Sequence, residues 1–494
     1  MYGHKRIFIL GWAWFAIWSL VSGFCTPSQL LLFSVFRAFQ GIGPALLIPN
    51  AIAIIGRTLP VGKERNIAFA CFSASGPTGA AVGTVMAALV AETISWHWCF
   101  WLLAIECLLL VPISYFAIPD PDDTLPLSDQ DPPQFDWPGA VTGVTGLVLV
   151  NFALNQAPIV GWSEPYVPIL LVAGVLFLTA FVWVELNVAA QPIIPIRGLQ
   201  RNAAFALVCV FAGWSSHGIW VYYLFILLEH LRGHSALLSS AEMSPVAITG
   251  VFFAFLTVWL MRRVAVSWVM FSAMCFFALG NILLAVAPLQ QTYWGYTFVS
   301  IIVMPGAMNL SFPAATILLS SALPKEKQGI AASLVATVVN YSISCGLGFA
   351  GSIHKQALIY AAEQGGLRGN PPALSVTSPA LVAARLFGLR SAYWFAVALG
   401  VLGMLIAGVF ILVQQPETCN QAHPRVDEER KSIADSEQAD VEEGMPPAGA
   451  LPRGRISTGS TMFRIGDRII EDMKQHKFSV GVDSRGLDEF SVEG

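Results

Sequence analysis

Residues 264–287 read VAVSWVMFSAMCFFALGNILLAVA, and this apolar run contains no charged side chain. Residues 388–414 form a second long apolar run, interrupted by one arginine. Each run is long enough to cross a hydrocarbon core of roughly 30 Å as an α-helix. The other spanning structure, a β-barrel, would show short segments of alternating polarity, and we see none in the sequence. The predicted fold class is therefore an all-α polytopic membrane protein.

The overall composition agrees with membrane insertion. Of the 494 residues, 55% are hydrophobic and 12% are charged, which is about half the charged fraction of a soluble domain. No block of Lys and Arg with interleaved aromatic residues indicates nucleic acid binding. The eight cysteines are scattered without metal-ligand spacing, and the histidines form no catalytic set. We therefore predict no metal, no other cofactor, no catalytic residue and no enzyme activity.

The apolar runs predict twelve spans, at residues 7–24, 30–55, 66–90, 96–118, 138–156, 166–186, 201–228, 240–260, 264–287, 293–321, 328–352 and 388–414. Loops on one side hold most of the Lys and Arg, from Lys5 and Arg6 to Lys325 and Lys327. Loops on the other side are nearly free of them, except at Arg232 and within 353–387. Because positive loops stay in the cytosol, both ends of the chain are predicted to be cytosolic.

The chain is predicted to have five parts. They are an incomplete N-terminal bundle of four spans (1–118), a cytosolic linker rich in Pro and Asp (119–137), two intervening transmembrane helices (138–186), a C-terminal six-helix bundle (201–414) and a polar, mostly disordered cytosolic tail (415–494).

An internal repeat relates the two bundles. Residues 49–60 read PNAIAIIGRTLP and residues 313–324 read PAATILLSSALP, and a charged triplet follows each segment closely. Two further echoes occur in the same order, SWHW at 95–98 with SAYW at 391–394, and Lys5-Arg6 with Arg262-Arg263. In the second bundle, the spans 201–228 and 240–260 precede Arg262, but in the first bundle no span precedes Lys5. The repeat therefore predicts that two helices are missing from the first bundle, through an incomplete gene model or a short isoform, and that a complete chain has fourteen spans.

Three motifs between residues 3 and 83 resemble those of the major facilitator superfamily. More narrowly, the chain resembles the fourteen-span drug:proton antiporters of the fungal aminotriazole-resistance type over residues 1 to about 414. The motifs are a cytosolic loop motif (Gly3, Lys5, Arg6), a fourth-helix motif (Arg37, Gln40, Gly41, Gly43) and a fifth-helix motif associated with antiporters (Gly76, Pro77, Gly79, Gly83). The loop motif normally has an Asp and an Arg upstream of the position of Gly3.

The resemblance implies a secondary active transporter that exports small organic compounds or drugs in exchange for protons by alternating access. Its partners would then be a small-molecule substrate, protons and the lipid bilayer. A monomer in the plasma membrane is the expectation, with the vacuolar membrane as the alternative location. A transport-inactive remnant, or a regulatory or receptor-like protein on the same fold, remains a competing hypothesis. No Walker-type phosphate-binding motif occurs, so we do not expect ATP-driven transport.

Three titratable residues inside predicted spans are candidates for proton coupling. Arg37 would be a costly cation in the membrane unless a carboxylate, backbone carbonyls or water surrounds it, although its side chain could also extend to the headgroups. Glu106 could carry a proton or form a structural hydrogen bond. His217 could titrate near neutral pH or simply pack beside Ser215 and Ser216.

Other polar and small residues in the spans are predicted to line the transport route. A glycine-lined helix bent at Pro77 could seal one side of a cavity, or could only allow tight helix packing. Neutral polar and aromatic side chains could line a substrate path or serve in packing; these candidates are Asn151, Asn155, Trp220, Tyr223, Asn309 and Asn340.

Overall fold

The computed structural model of the protein describes residues 3–59, 63–119, 136–189, 192–194, 201–321, 328–366 and 378–443. Within these ranges every regular element is helical, and ten helices are long and apolar enough to cross a membrane. The predicted fold class is confirmed, and the protein is an all-α, multi-pass integral membrane protein.

The helices follow the predicted spans in order, with thirteen α-helices among the described residues for twelve predicted spans. They are α1 His4–Ser22, α2 Leu30–Thr58, α3 Lys63–Thr93, α4 Trp96–Ala117, α5 Trp137–Val160, α6 Tyr166–Asn187, α7 Arg201–Phe225, α8 Ala236–Met243, α9 Pro245–Met261, α10 Val266–Val286, α11 Tyr296–Ser321, α12 Gln328–Gln364 and α13 Pro379–Glu443. A π-helical turn, Ile226–Leu231, continues α7.

Two predicted spans, 7–24 and 66–90, are helical but are not among the ten apolar helices. Helix α1 includes His4, Lys5 and Arg6 in its first turn, which lowers its mean hydropathy. Among the described residues, the apolar segment of α3 is Thr78–Thr93.

The predicted span 240–260 is divided into two helices. Ser235 begins α8 by accepting a hydrogen bond from the Leu238 amide at 3.2 Å, and α8 ends at Met243. Pro245 then opens α9, because proline has no N–H to donate to the preceding turn but fits the first turn of a new helix. The break lets α8 and α9 differ in direction.

The helix bounds near the C-terminus also differ from the prediction. Helix α12 continues twelve residues past the predicted end at 352, and α13 begins at Pro379 and extends to Glu443. The remainder of the predicted tail, residues 444–494, and most of the predicted linker lie outside the described residues. Residues Met1–Glu417 form one compact unit, in which the sites below are found.

Helices α1, α2 and α4 pack closely through small residues. A Cβ atom at Gly43 would lie 2.7 Å from Cβ of Phe15, and one at Gly11 would lie 3.0 Å from Cγ of Leu47. Both positions therefore require glycine for the two backbones to approach. The ring of His4 forms a hydrogen bond with the Asn50 side chain at 2.8 Å, which joins the first turn of α1 to the C-terminal half of α2. Close backbone approach of this kind is typical of helices packing in membranes.

The C-terminal helices surround α7, which is the most buried of the ten apolar helices. Of its most apolar window, 72% is buried, compared with 17% for α4 and α6. Gly213 lets Phe277 of α10 approach it, and the Ser216 hydroxyl donates to the Ala396 carbonyl of α13 at 2.9 Å. Because α7 is enclosed on several sides, its polar residues Ser215, Ser216 and His217 are buried against protein.

Helix α3 connects the two helix groups. It contacts α4 and α2 of the first group, but it packs more extensively against α8 and α9 of the second. Helices α5 and α6 form a closely packed pair, and α5 also contacts α12. The faces of α3 and α5 that look toward the C-terminal helices border the cavities described next.

Candidate functional site

A cavity of about 110 Å³ lies between α3 and the C-terminal helices. Helices α7, α8, α9 and α11 supply most of its wall, and α3 closes the remaining side. Its lining residues are Ala80, Ala81, Thr84, His217, Trp220, Val221, Phe225, Met243, Val246, Met304, Pro305 and Met308. The wall is mainly apolar, and His217 is its single titratable member among the described residues. We call this space the His217 cavity.

His217 is almost fully buried and has aromatic neighbours on several sides. Its ring centroid lies 5.4 Å from that of Trp214, 5.8 Å from that of Trp220 and 6.5 Å from that of Phe277. Within the described residues, its Nδ1 atom is buried without a hydrogen-bond partner. Because a buried nitrogen without a partner is costly, this atom is available to water, a proton or a solute.

Trp220 is fixed beside His217 by a chain of hydrogen bonds. Its indole N–H donates to the Ser300 hydroxyl at 2.8 Å, and Ser300 donates to the Gly280 carbonyl at 2.7 Å. All of Trp220 is buried, so its orientation is fixed by packing as well. Tyr223 lies outside this cavity, near His354 and Tyr393 of α12 and α13.

The glycines of the fifth-helix motif face open space. A Cβ atom at Gly76, Gly79 or Gly83 would meet nothing within 4 Å. Tight packing therefore does not explain these glycines in the observed conformation, in contrast to Gly43. The side chain of Pro77 lies outside the described residues.

Arg37 is held by neutral partners. Its guanidinium donates to the Gln40 side chain, and Gln40 in turn donates to the Ser19 hydroxyl of α1. The guanidinium also lies over the Phe100 ring of α4, 5.5 Å from the centroid. No ion pair joins Arg37 to a carboxylate in the parts of the chain that the structure describes. Arg37 and Gln40 belong to the fourth-helix motif, which lies on α2 in this chain. Through these two residues the motif links α2 to α1 and α4.

The other candidates of the N-terminal group lie apart from the His217 cavity. Glu106 is exposed on α4 and has no hydrogen-bond or ion-pair partner among the described residues. Gly3 precedes α1 with a left-handed backbone (φ 74°), Arg6 is partly exposed, and the ammonium group of Lys5 lies 5.0 Å from the centroid of the Tyr115 ring. At Gly41 an added Cβ would meet no atom within 4 Å.

A second cavity, of about 350 Å³, lies along α5 and includes Tyr341 of α12. Asn151, Asn155 and Gln156 place three amides on this face. The Asn155 amide donates to the Ser344 hydroxyl at 3.2 Å, and that hydroxyl donates to the Asn151 side-chain oxygen at 3.1 Å. Amides are unfavourable against lipid tails, so this face of α5 is suited to protein, water or a polar solute.

Two other predicted substrate-path residues, Asn309 and Asn340, lie away from these two cavities. The Asn309 amide donates to the Pro305 carbonyl, and the Asn340 amide donates to the Ala336 carbonyl, each at 2.9 Å. Neither residue lines the cavities described above. Met243, Met304 and Met308 also line the His217 cavity but were not predicted from the sequence. An apolar residue within a membrane span gives no signal of the direction in which its side chain points.

Helical solute transporters are a class of membrane protein built from two groups of helices with a cavity between them. The helix groups and the His217 cavity agree with this class. The sequence matches the Major Facilitator Superfamily over residues 1–349. The chain belongs to this superfamily.

Similar proteins indicate the subgroup of the superfamily to which the chain is related. The chain is 44% identical over 416 residues to the low affinity ammonium transporter of Saccharomyces cerevisiae, covering 83% of this chain and 76% of that protein. It is 40% identical to the efflux pump terJ of Aspergillus terreus, covering 71% and 67% of the two chains. It is also 35% identical to the aminotriazole resistance protein of Saccharomyces cerevisiae, covering 72% and 66%. The predicted resemblance to the aminotriazole-resistance type is confirmed.

The fold is shared with solved transporters of low sequence identity. A transporter of the POT family, crystallised with a thioalcohol-conjugated peptide, superposes with a TM-score of 0.54 at 16% identity, covering 84% of this chain and 82% of that one. At this identity the likeness supports the fold alone.

Proposed function

We propose that this protein is a secondary active transporter that exports small organic compounds by alternating access and is coupled to protons. The His217 cavity carries the proposal, because α3 and the C-terminal helices enclose it together. A relative movement of the two helix groups would open it to either side of the membrane. The relatives named as an efflux pump and a resistance protein support the direction and the substrate class.

His217 is the proposed proton-coupling residue. It is the titratable side chain of the cavity wall, and its Nδ1 atom has no partner within the described residues. An imidazole in contact with water exchanges protons in the physiological range, so opening of the cavity to water would let this ring take up or release a proton. Arg37 is proposed to act indirectly, by holding Gln40 and Ser19, and Glu106 remains a proposed second proton carrier.

Ammonium is a second candidate substrate. The observation in its favour is the 44% identity to the low affinity ammonium transporter. The amide-lined cavity with Asn151 and Asn155 would offer oxygen acceptors to a small cation, and these residues are also proposed to line the route of larger polar solutes.

The remaining expectations are proposals of the same kind. The charge bias of the loops supports cytosolic ends, and the family type supports a monomer in the plasma membrane, with the vacuolar membrane as the alternative. The division into a first bundle (1–118), an intervening pair (138–186) and a second bundle (201–414) is consistent with the helix groups.

Transport by the purified full chain in proteoliposomes tests the proposal. We expect radiolabelled 3-amino-1,2,4-triazole to accumulate when a pH gradient is imposed and not after a protonophore is added. His217→Gln should lose accumulation but keep downhill exchange, whereas His230→Gln, an exposed histidine on the π-helical turn, should behave as the wild type.

Each result has a definite meaning for the proposal. Transport that ignores the pH gradient would contradict proton coupling, and coupling retained in His217→Gln would exclude His217. Accumulation of methylammonium without aminotriazole transport would favour the ammonium alternative. A folded chain that transports neither probe would favour the transport-inactive or regulatory hypothesis.

A further inference from the structure

An open groove of about 580 Å³ runs along α3 beside the π-helical turn and α8. Its floor on the α3 side is formed by small residues, and the opposite wall carries the polar groups. The lining residues are Gly79, Ala80, Gly83, Thr84, Ala87, Ala88, Ala91, Cys99, Phe225, Glu229 and Ser240. We call it the Glu229 groove. Ala80, Thr84 and Phe225 also line the His217 cavity, so the two spaces adjoin.

The π-helical turn places a carboxylate in this groove. Glu229 lies within Ile226–Leu231, where the wider turn changes the direction in which side chains point, and such turns are frequent at functional sites. Glu229 is partly buried, and within the described residues its side chain has no hydrogen bond or ion pair. It is also the one charged residue among the described lining residues, so nothing in the wall neutralises it.

The hydroxyl of Ser240 lines the same groove. Ser240 of α8 is only 3% exposed, and no hydrogen bond satisfies its hydroxyl in the described parts of the protein. The Ser240 hydroxyl can therefore bond to water or to a ligand in the groove.

The helix beside the groove, α8, is firmly positioned. The Glu92 carboxylate accepts a hydrogen bond from the Leu237 amide at 2.8 Å at the start of α8. Tyr293 donates to the Glu242 carbonyl near the other end of α8 at 2.6 Å. Burial, and secondly the charge of Glu242, raise the pKa of Tyr293 to about 12, so its hydroxyl remains a donor. Helix α8 is thus held at both ends.

We propose that the Glu229 groove binds a small organic ammonium ion, whose N–H groups donate to the Glu229 carboxylate and the Ser240 hydroxyl. The hydrocarbon part lies against Phe225 and the glycine and alanine face of α3. The inference names a substrate class and an entry site for the proposed transport, and binding is measured without transport so that each can fail separately.

Binding of benzylammonium to the purified full chain in nanodiscs tests the inference, with benzyl alcohol as the neutral probe of the same shape. Glu229→Gln removes the charge but keeps the shape, and we expect it to weaken benzylammonium binding about tenfold. Ser240→Ala should weaken it about threefold, since one of the hydrogen bonds from the ammonium group is lost. Glu164→Gln, in the exposed loop between α5 and α6, is the matched control and should bind as the wild type.

A variant on the opposite wall guards against misfolding of Glu229→Gln. Ala87→Leu should fill the groove from α3 and weaken benzylammonium binding while leaving Glu229 in place. Gel filtration and thermal unfolding establish that each variant is folded. The inference is overturned if wild type does not bind benzylammonium, if folded Glu229→Gln binds it unchanged, or if benzyl alcohol binds as tightly. Binding that persists in a chain without transport activity would contradict the proposed function alone.

Discussion

Trp220 shows at the scale of one residue how a polar atom is accommodated in this apolar protein. Its N–H donates a hydrogen bond to the Ser300 hydroxyl, and that hydroxyl donates a hydrogen bond to the Gly280 carbonyl. Trp220→Phe should lower the free energy of unfolding by about 1–3 kcal/mol, because the Ser300 hydroxyl loses a donor and a small void remains. Thermal unfolding in detergent measures this change.

Trp294→Phe is the control for that experiment, because Trp294 is 70% exposed and should tolerate the change. Equal unfolding temperatures for the two variants would show that the buried chain of hydrogen bonds does not stabilise the protein measurably.

At the scale of helices, two glycines with different surroundings can be compared. Gly43→Ala should lower the unfolding temperature, because the new Cβ would lie 2.7 Å from Cβ of Phe15 and would push α1 from α2. Gly83→Ala should leave the unfolding temperature nearly unchanged, because its Cβ would meet no atom within 4 Å. Thermal unfolding of the two variants side by side measures the difference.

Gly83 has a second expected effect if α3 moves during transport. Gly83→Leu should fold but should transport more slowly. The space beside α3 that is open in this conformation would be occupied by a neighbouring helix in another conformation, and the leucine side chain would obstruct that movement. Wild-type transport by folded Gly83→Leu would mean that this face of α3 never closes.

At the scale of the whole molecule, the contact of α3 with α8 joins the two helix groups. Glu92 accepts a hydrogen bond from the Leu237 amide in the first turn of α8, where a negative charge is also favoured by the helix dipole. Glu92→Ala should therefore increase hydrogen exchange at the Leu237 amide and loosen the contact. Exchange followed by mass spectrometry measures this, with the exposed Glu363→Ala as control.

Unchanged exchange at Leu237 in Glu92→Ala would show that packing alone holds α3 against α8. Faster exchange in both variants would instead indicate a general loss of stability.

The sequence by itself determined the membrane class, the helix order and the family. These follow from local properties, because a run such as 264–287 must be helical in lipid wherever it is placed. The motif residues Arg37, Gln40 and Gly76–Gly83 identified the superfamily for the same reason, since a motif is a local pattern. The break at Pro245 also had a local signal, which the predicted span 240–260 did not use.

Only the tertiary structure decided which residues meet. His217 and Trp220 were candidates in the sequence, but their three methionine neighbours in the cavity were not. Asn309 and Asn340 looked equally suitable, yet they bond to their own helices. Glu229 gave no signal at all, since its position in a groove depends on a π-helical turn and on α3, which lies more than 130 residues earlier in the chain. The hydrophobicity of a segment determines that it enters the membrane as a helix. The direction of each side chain depends on the packing between helices, and no local sequence pattern contains that information.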